Sequence, residues 1–409
     1  LLNRDQFYED VHDMVNKYHD TTFYLICSNI KDFKFINEIF GMEKGNQVLI
    51  KQAKLMASNP SERTICARLM NDRFALCLPR EEFDEKRVAD SIKELQREFS
   101  GNSFHLHTYM GVYEIRDRDE AVSIMVDKAN IAADTIKNNY DCCVSYYDEH
   151  LLEISIEQRR LLGEFEPALQ NDEFVMYLQP QVKRDGAAKG AEALVRWVHP
   201  SRGILTPYAF IDILENAGLI YKLDLYIWEK AAQKLAEWKE KGYGSYHISV
   251  NISTKDFYII DIYETFTGLI NKYGIAASNL HLEITETTLM TDFEKNMNII
   301  HKLQGVGFRV EIDDFGSGYS SLNMLKDISA DVLKIDMGFL RKSENEVKGQ
   351  DILESIITLA GKIGMDVITE GVETKKQLDM LTMMSCHEFQ GYYFSKPVPV
   401  SEFEEKYLV

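Results

Sequence analysis

At 409 residues the chain is too long for one ordinary domain, and two are expected. Hydrophobic residues at 45% and charged residues at 27% put it among soluble globular proteins and exclude a disordered or collagen-like chain. A formal charge of -19 argues against partners such as DNA, RNA or an anionic lipid surface, and an anionic ligand would need the help of metal ions.

The longest apolar runs, such as FYLIC at 23–27, fall far short of the roughly 20 residues that a membrane helix requires. Six cysteines, two of them adjacent as Cys142 and Cys143, form no C-x-x-C pair and no zinc spacing, and read as reduced thiols of a cytoplasmic protein. The chain opens at Leu1 with neither a Met nor a signal peptide, which leaves room for an upstream sensor or membrane segment.

In chain order, residues 1–150 mix periods. An amphipathic opening helix leads to a strand at FYLIC, a helix over GNQVLIKQAKLM and a hairpin at CARLMNDRFALCLP, which together predict a small α+β domain. The polar stretch YYDEHLLEISIEQRR then runs into a helix ending near Leu169. With no Gly/Pro-rich tether, a helical join between domains 1–150 and 151–409 is expected. From about residue 172, eight short apolar runs alternate with mostly amphipathic segments: EFVMYLQPQV, GAEALVRW, YHISVNIS, LHLEITE, FRVEIDDFG, DVLKID, DVITEGVE and EFQGYYFS. That rhythm over some 235 residues predicts an α/β fold of the (β/α)8 TIM barrel type.

Nearly every run carries a polar side chain near its end: Gln179, Glu192, Asn251, Glu283 with Glu286, Asp313 with Asp314, Lys334 with Asp336, Glu370 with Glu373, and Gln390. In a closed parallel barrel the C-terminal strand ends share one rim, so these residues become neighbours. Taken singly, each carboxylate reads as a solvated rim residue or an ion-pair partner. Crowded together, they would repel one another and raise their own pKa values unless cations neutralise them. A donor set of Asp, Glu and Asn oxygens favours a hard divalent cation such as magnesium or manganese. Adjacent Asp313 and Asp314 reach one site only if the strand breaks there, a break that Gly316 and Gly318 are expected to permit.

The motifs EALVRW, NIS, EITE, DDFGSGYSSL, LKID, EGVE and QGYYFSKP, in that order, resemble the EAL domain, the bacterial phosphodiesterases that open cyclic di-GMP. The resemblance runs through residues 154–409 and implies an EAL-type modified barrel that hydrolyses cyclic di-GMP to linear pGpG with two Mg2+ or Mn2+ ions. It assigns Glu192, Asn251, Glu283, Asp313, Asp314 and Glu370 to the metals, with Lys334, Glu370 and Glu192 as catalytic residues and Lys334 orienting or deprotonating the attacking water. By the same likeness Glu286 braces the DDFGSGYSS loop, Gln179 and Arg196 touch the dinucleotide, and Glu373 and Gln390 complete the pocket.

Residues 1–150 resemble the GGDEF domain, which makes cyclic di-GMP from GTP, through CSNIKDFKFINEIFG, GNQVL and ARLMNDRFALCLP. Its chemical positions are eroded. The signature pentad reads Met70, Asn71, Asp72, Arg73 and Phe74, with no glycines and a cation where an acidic metal ligand is expected, and the paired aspartates are replaced by Asn29 and Lys31. Those exchanges should abolish magnesium binding. Asn37 matches a guanine-reading asparagine and Lys137 a phosphate-contacting lysine, so residual GTP binding is one expectation. Ser61 and Thr64 stand where the inhibitory R-x-x-D site would be. A catalytically inactive regulatory module, or the interface of a homodimer, is the expected role. The alternatives are a non-catalytic cyclic di-GMP receptor and, from physics alone, a magnesium-assisted enolising barrel with Lys334 as base.

Overall fold

A computed structural model describes residues 1–31, 33–57, 61–99, 106–137, 139, 142–315, 328–336 and 346–408. The chain divides into two compact units, Leu1–Arg159 and Arg160–Val409. The division falls inside a helix, Glu149–Gln170, at whose start the expected boundary after residue 150 lies.

The first unit is built on β1 (Phe23–Ile30), β2 (Ile65–Met70), β3 (Arg73–Pro79), β4 (Thr108–Glu114) and β5 (Val144–Tyr146), in the sheet order β2-β3-β1-β4-β5. The central strand β1 is buried along its whole length, and the period of two in its side chains explains how. Phe23, Leu25 and Cys27 pack with residues of helices Arg4–Lys17 and Val122–Thr135, while Tyr24, Ile26 and Ile30 pack with Phe33–Met56 and Glu85–Phe99. Helices therefore cover both faces. Phe33–Met56 is longer than the predicted GNQVLIKQAKLM helix, and its helical backbone is interrupted at Gly41, where φ is 83°. The predicted hairpin is present, β2 pairing antiparallel with β3.

The second unit holds β6 (Phe174–Lys183), β7 (Ala188–His199), β8 (Gly203–Leu205), β9 (His247–Ile252), β10 (Leu280–Thr285), β11 (Val310–Phe315), β12 (Val332–Asp336), β13 (Asp366–Glu370), β14 (Glu388–Phe389) and β15 (Val398–Pro399). Pairing runs β6-β14-β13-β12-β11-β10-β9-β7, and β6 also pairs with β7, so eight strands close a barrel that contains each of the eight predicted runs. One expectation needs correction. The barrel is not wholly parallel, because β6 runs antiparallel to both of its neighbours. Its link to β7 is a tight turn through Asp185 and Gly186 where a parallel barrel needs a crossover helix, and such a turn forces antiparallel pairing. Gln179 consequently lies within β6 and not at its end, opposite Glu192 of β7.

The apolar core is an outer shell. On β9 to β12, Ile248, Val250, Ile252, Leu280, Leu282, Ile284, Val310, Ile312, Leu333 and Ile335 cluster with Leu223, Ile227 and Trp228 of helix Ile220–Glu240, Phe266 of Ile262–Tyr273, Ile300 of Phe293–Val306 and Leu353 of Glu346–Lys362. The alternate positions of the same strands hold Ser249, Asn251, Glu283, Glu311, Asp313 and Lys334, and by the period of two these face the barrel axis. Among the described residues no helix is long and apolar enough to cross a membrane, and all six cysteines are free.

Candidate metal centre and its surroundings

Register brings the predicted residues to one level. Gln179 pairs with Glu192, Asn251 with Glu283, Thr285 with Asp313, and Asp336 with Glu370. At their centre lies the wholly buried Lys334. Its ammonium is 2.8 Å from Glu370 Oε1, 2.9 Å from Glu283 Oε1, 3.2 Å from Asp313 Oδ1 and 3.4 Å from Glu192 Oε2.

Asp314 joins through a local break in the strand. Its φ of 55° is in the left-handed region, and the β11–β12 register gains one residue between Ile312 and Phe315, as in a β-bulge. Asp tolerates that conformation better than most residues. The expected break is therefore present but is carried by Asp314 itself; Gly316 and Gly318 lie outside the described residues. The result is that Asp313, Asp314 and Glu370 each offer a carboxylate oxygen within 4.8 Å of the other two.

Amide groups fix the ring. Gln390 Nε2 donates to Glu192 Oε2 at 2.5 Å and to Gln179 Oε1 at 3.4 Å, and Asn251 Nδ2 donates to Glu192 Oε1 at 3.2 Å. Trp228 holds the strand by donating to the Asn251 carbonyl at 2.9 Å. A cleft of about 390 Å³ opens onto this end, lined among others by Gln179, Glu192, Asp336, Glu370, Glu373 and Tyr392. Arg196 is two strand steps beyond Glu192 on the same face of β7, with its guanidinium 5.4 Å from the Tyr177 ring centre. Glu286 opens the helix Glu286–Thr291 directly after β10. The DDFGSGYSS loop that it is expected to brace falls, beyond Phe315, outside the described residues.

Electrostatics test whether divalent cations suit these residues. Burial opposes the Lys334 ammonium, but the carboxylates around it, Asp313 and Glu192 foremost, outweigh that and hold its pKa well above the ordinary lysine value. Burial pushes the Glu370 carboxyl up to about 8, with Asp313 and Glu192 adding to the rise against Lys334. Burial and then Glu192 raise Glu283 far above the carboxylate range, and burial and then Asp313 raise Asp314. If all five carboxylates ionise against one ammonium, four negative charges remain. Two divalent cations balance that number. Glu283 Oε1 faces the Lys334 ammonium, but its second oxygen, Oε2, is buried without a hydrogen bond, which is the condition of a ligand atom awaiting a partner. The donor set fits hard divalent ions.

In the first unit, Asn29 is buried and hydrogen-bonded to Tyr109, and Asp72 accepts from the Ile30 amide at 3.3 Å. Met70, Asn71 and Arg73 form the β2–β3 turn, Asn71 with a φ of 51° and Met70 62% exposed. Arg73 and Lys137 both act on the Asp134 carboxyl, whose pKa burial nonetheless raises. Lys31 follows β1 in a turn, and Asn37 fills the space that a side chain at Gly45 would occupy. Arg73, which stands at an expected acidic position, thus neutralises a neighbouring carboxylate instead of adding a negative charge.

One group escaped the sequence reading: His247, His281 and Glu311, which come together on the barrel axis. Its signal was the same period of two, since each stands two or four positions before a member of the carboxylate ring.

The fold and this mouth define a TIM-barrel-like α/β protein with an acidic site suited to hard cations. Residues 163–397 match the family described as the EAL domain, and residues 1–141 that described as diguanylate cyclase, GGDEF domain. The chain belongs to the EAL family, its barrel preceded by a GGDEF domain. It is similar to the bifunctional diguanylate cyclase/cyclic di-GMP phosphodiesterase MucR of Pseudomonas aeruginosa, 29% identical over 94% of this chain and 57% of the relative. It also resembles the cyclic di-GMP phosphodiesterase PdeR of Escherichia coli, 26% identical over 100% of this chain and 62% of PdeR. The chain therefore spans little more than half the length of these relatives. A solved structure titled "PaMucR Phosphodiesterase, c-di-GMP complex" superposes with a TM-score of 0.57 at 33% identity, over 60% of this chain and 99% of that one.

Proposed function

We propose that the barrel hydrolyses cyclic di-GMP to linear pGpG, and that the GGDEF domain is a regulatory or dimerising module without cyclase activity. The observation that carries this reading is the unbroken ring of Glu192, Asn251, Glu283, Asp313, Asp314 and Glu370 about Lys334, with relatives named for that phosphodiesterase activity.

Those six residues would hold two Mg2+ or Mn2+ ions. When bound, the ions offset the charge of the phosphodiester and lower the pKa of the attacking water. The water oxygen attacks phosphorus, the bond to the 3′-oxygen breaks, and the leaving oxygen takes up a proton, so one ring opening yields a 5′-phosphate and a 3′-hydroxyl. With no ions in the ring its carboxylates hold the Lys334 pKa well above the ordinary value, whereas bound divalent cations would push it down. Lys334 is assigned to orienting or deprotonating the attacking water, and its ammonium draws the carboxylates together. Gln390 and Asn251 hold the Glu192 carboxylate from two sides. Gln179, Arg196 and Glu373 at the mouth are assigned to the dinucleotide, and Glu286 to the loop after β11.

In the first domain, Asn29, Lys31 and Arg73 replace acidic groups, and Met70 and Asn71 replace glycines, so cyclase chemistry lacks its metal. Asn37 and Lys137 retain the chemistry to contact a guanine and a phosphate of GTP.

The test is to incubate purified protein with cyclic di-GMP and Mg2+ or Mn2+ and to separate the products by chromatography. Linear pGpG is expected, and its absence over a range of metals rejects the reading. Tight binding with no product over hours would instead make the chain a receptor. With GTP in place of cyclic di-GMP, no cyclic dinucleotide is expected.

A further inference from the structure

Nearer the N-terminal ends of the strands, a second set of inward side chains meets on the barrel axis. The imidazoles of His247 and His281 lie parallel, 3.8 Å apart with 4° between their planes. His281 Nδ1 is 2.5 Å from Glu311 Oε1, and Ser249 Oγ donates to the same oxygen at 3.2 Å. All three residues are buried, and one nitrogen of each histidine and one Glu311 oxygen lie within 4.8 Å of one another. They are also reachable, because the three line a cavity of about 650 Å³ with Lys189, Tyr243 and Arg309.

Hydrogen bonding fixes what the rings can offer. The Ser278 carbonyl only accepts, so His281 Nε2, 3.2 Å away, carries a hydrogen and Nδ1 is the nitrogen turned to Glu311. Gln181 Oε1 likewise takes the hydrogen of His247 Nε2 at 2.7 Å, which leaves His247 Nδ1 with its lone pair. Burial, and then the neighbouring His281, keep His247 neutral by holding its pKa well below the usual histidine value. A nitrogen lone pair and a carboxylate oxygen 2.5 Å apart repel each other unless a proton or a metal ion lies between them. The second oxygen of Glu311 is buried with no hydrogen-bond partner, an uncompensated loss of hydration. A proton on Nδ1 leaves that oxygen orphaned. A metal ion can engage it, directly or through a bound water.

The basic residues at the cavity are spoken for, Lys189 by Glu388 and Arg309 by Asp366 at 2.5 Å. Nor is there room to spare on the facing strand: a methyl group on Gly190 would fall 2.4 Å from the His247 ring, so Gly190 is what lets that imidazole reach the axis. The parallel rings aim their lone pairs in separate planes, so one imidazole must turn out of the stack for both to reach one ion with bonds near 2.0–2.1 Å.

We propose that His247, His281 and Glu311 form a second metal site at the N-terminal end of the barrel, selective for a borderline divalent cation of the zinc class over magnesium. Two imidazoles and one carboxylate select such ions, whereas the oxygen-only ring at the other end selects hard ones. His281 is a ligand whose tautomer is set by Ser278, the arrangement common among metal-bound histidines.

The experiment uses the full chain, stripped with a chelator and then titrated with Co2+ in the presence of a large excess of Mg2+ to occupy the oxygen-only ring. The expected result is a visible absorption band of imidazole-bound cobalt that saturates at one ion per chain. His281→Gln and Glu311→Gln should each weaken Co2+ binding by more than about tenfold, the loss typical of removing even an outer-shell partner. Asp313→Asn should leave the band in place, which separates this site from the phosphodiesterase centre. Far-UV circular dichroism checks that each variant is folded, and the nearly isosteric Glu311→Gln decides if His281→Gln does not fold. A missing band in the wild-type chain overturns the proposal, as does a band untouched by Glu311→Gln or abolished by Asp313→Asn.

Discussion

Lys334 and Glu283 meet at 2.9 Å with neither side chain exposed to solvent. The ammonium faces three further carboxylates within 3.4 Å, so it is the fixed countercharge of the ring. Removing it with Lys334→Met strands buried carboxylates, a loss that typically costs about 3–5 kcal/mol. Urea unfolding in the presence of a chelator should show a destabilisation of that order, smaller when Mn2+ is added. Turnover of cyclic di-GMP should fall by about 10²–10³-fold, the usual effect of losing one preorganised electrostatic contact. A stability unchanged by the substitution would show that the buried ion pairs are not formed.

Asp313→Asn removes a charge that the ring offers to hard cations but leaves its shape. Saturating Mn2+ at a hundred times its dissociation constant should stabilise the wild-type chain by about 2.7 kcal/mol for each ion bound. Scanning calorimetry of the variant should find most of that increment gone, together with orders of magnitude in turnover. An equal metal-induced shift in both proteins would show that the ions bind elsewhere.

Asp224 and the wholly buried Asp256 form a hydrogen-bonded carboxyl pair at the end of β9, with Glu215 adding negative charge nearby. Burial, and then Asp256, raise Asp224 well above the ordinary aspartate pKa, and burial raises Asp256. Lys255, which acts on the Glu215 carboxyl, donates to the Glu215 carbonyl. A carboxyl with a raised folded-state pKa keeps its proton while the unfolded chain loses it. Stability contributed by this pair is therefore greatest below pH 4 and falls as pH rises from there towards the folded-state values. Asp224→Asn should flatten the stability–pH curve above pH 4 and raise stability at neutral pH, measured by urea titration at several pH values. A curve of unchanged slope would contradict the shared proton.

In the first unit, Gly111 of β4 sits directly beneath helix Val122–Thr135. A methyl group there would lie 1.9 Å from the Ala129 carbonyl oxygen and 2.4 Å from the Ala133 nitrogen, both backbone atoms that cannot turn aside. Gly111→Ala should destabilise the GGDEF domain by at least about 1–3 kcal/mol, the range for overpacked cores. Urea unfolding followed by circular dichroism checks it, and cyclic di-GMP hydrolysis at low temperature reports separately on the barrel.

Much of the site was legible because a barrel converts a linear pattern into a ring. Glu192, Asn251, Glu283, Asp313, Lys334 and Glu370 share one end of one strand set, and the pattern of runs announced as much. The orientation of β6 is not legible in the alternation of runs with amphipathic segments, although Asp185-Gly186 between the first two runs is a hairpin signal. The expected strand break is present, with Asp314 itself in the left-handed region, a position that sequence alone does not single out because it does not show where the bulge falls. His247, His281 and Glu311 escaped because the reading stopped at strand ends, and the next inward position down the axis is visible only once the faces of each strand are assigned.

The barrel's lining is charged and hydrogen-bonded from one mouth towards the other, so its cohesion comes from the jacket of aliphatic and aromatic side chains between strands and helices. Architecture and chemistry are thereby kept in separate compartments. Exchanges on the inner wall that keep its charges balanced can rewrite what the molecule binds or cleaves while the jacket still closes, whereas a change in the jacket threatens every activity at once. A lineage built on this plan is free to lose a reaction, keep the ligand and remain folded.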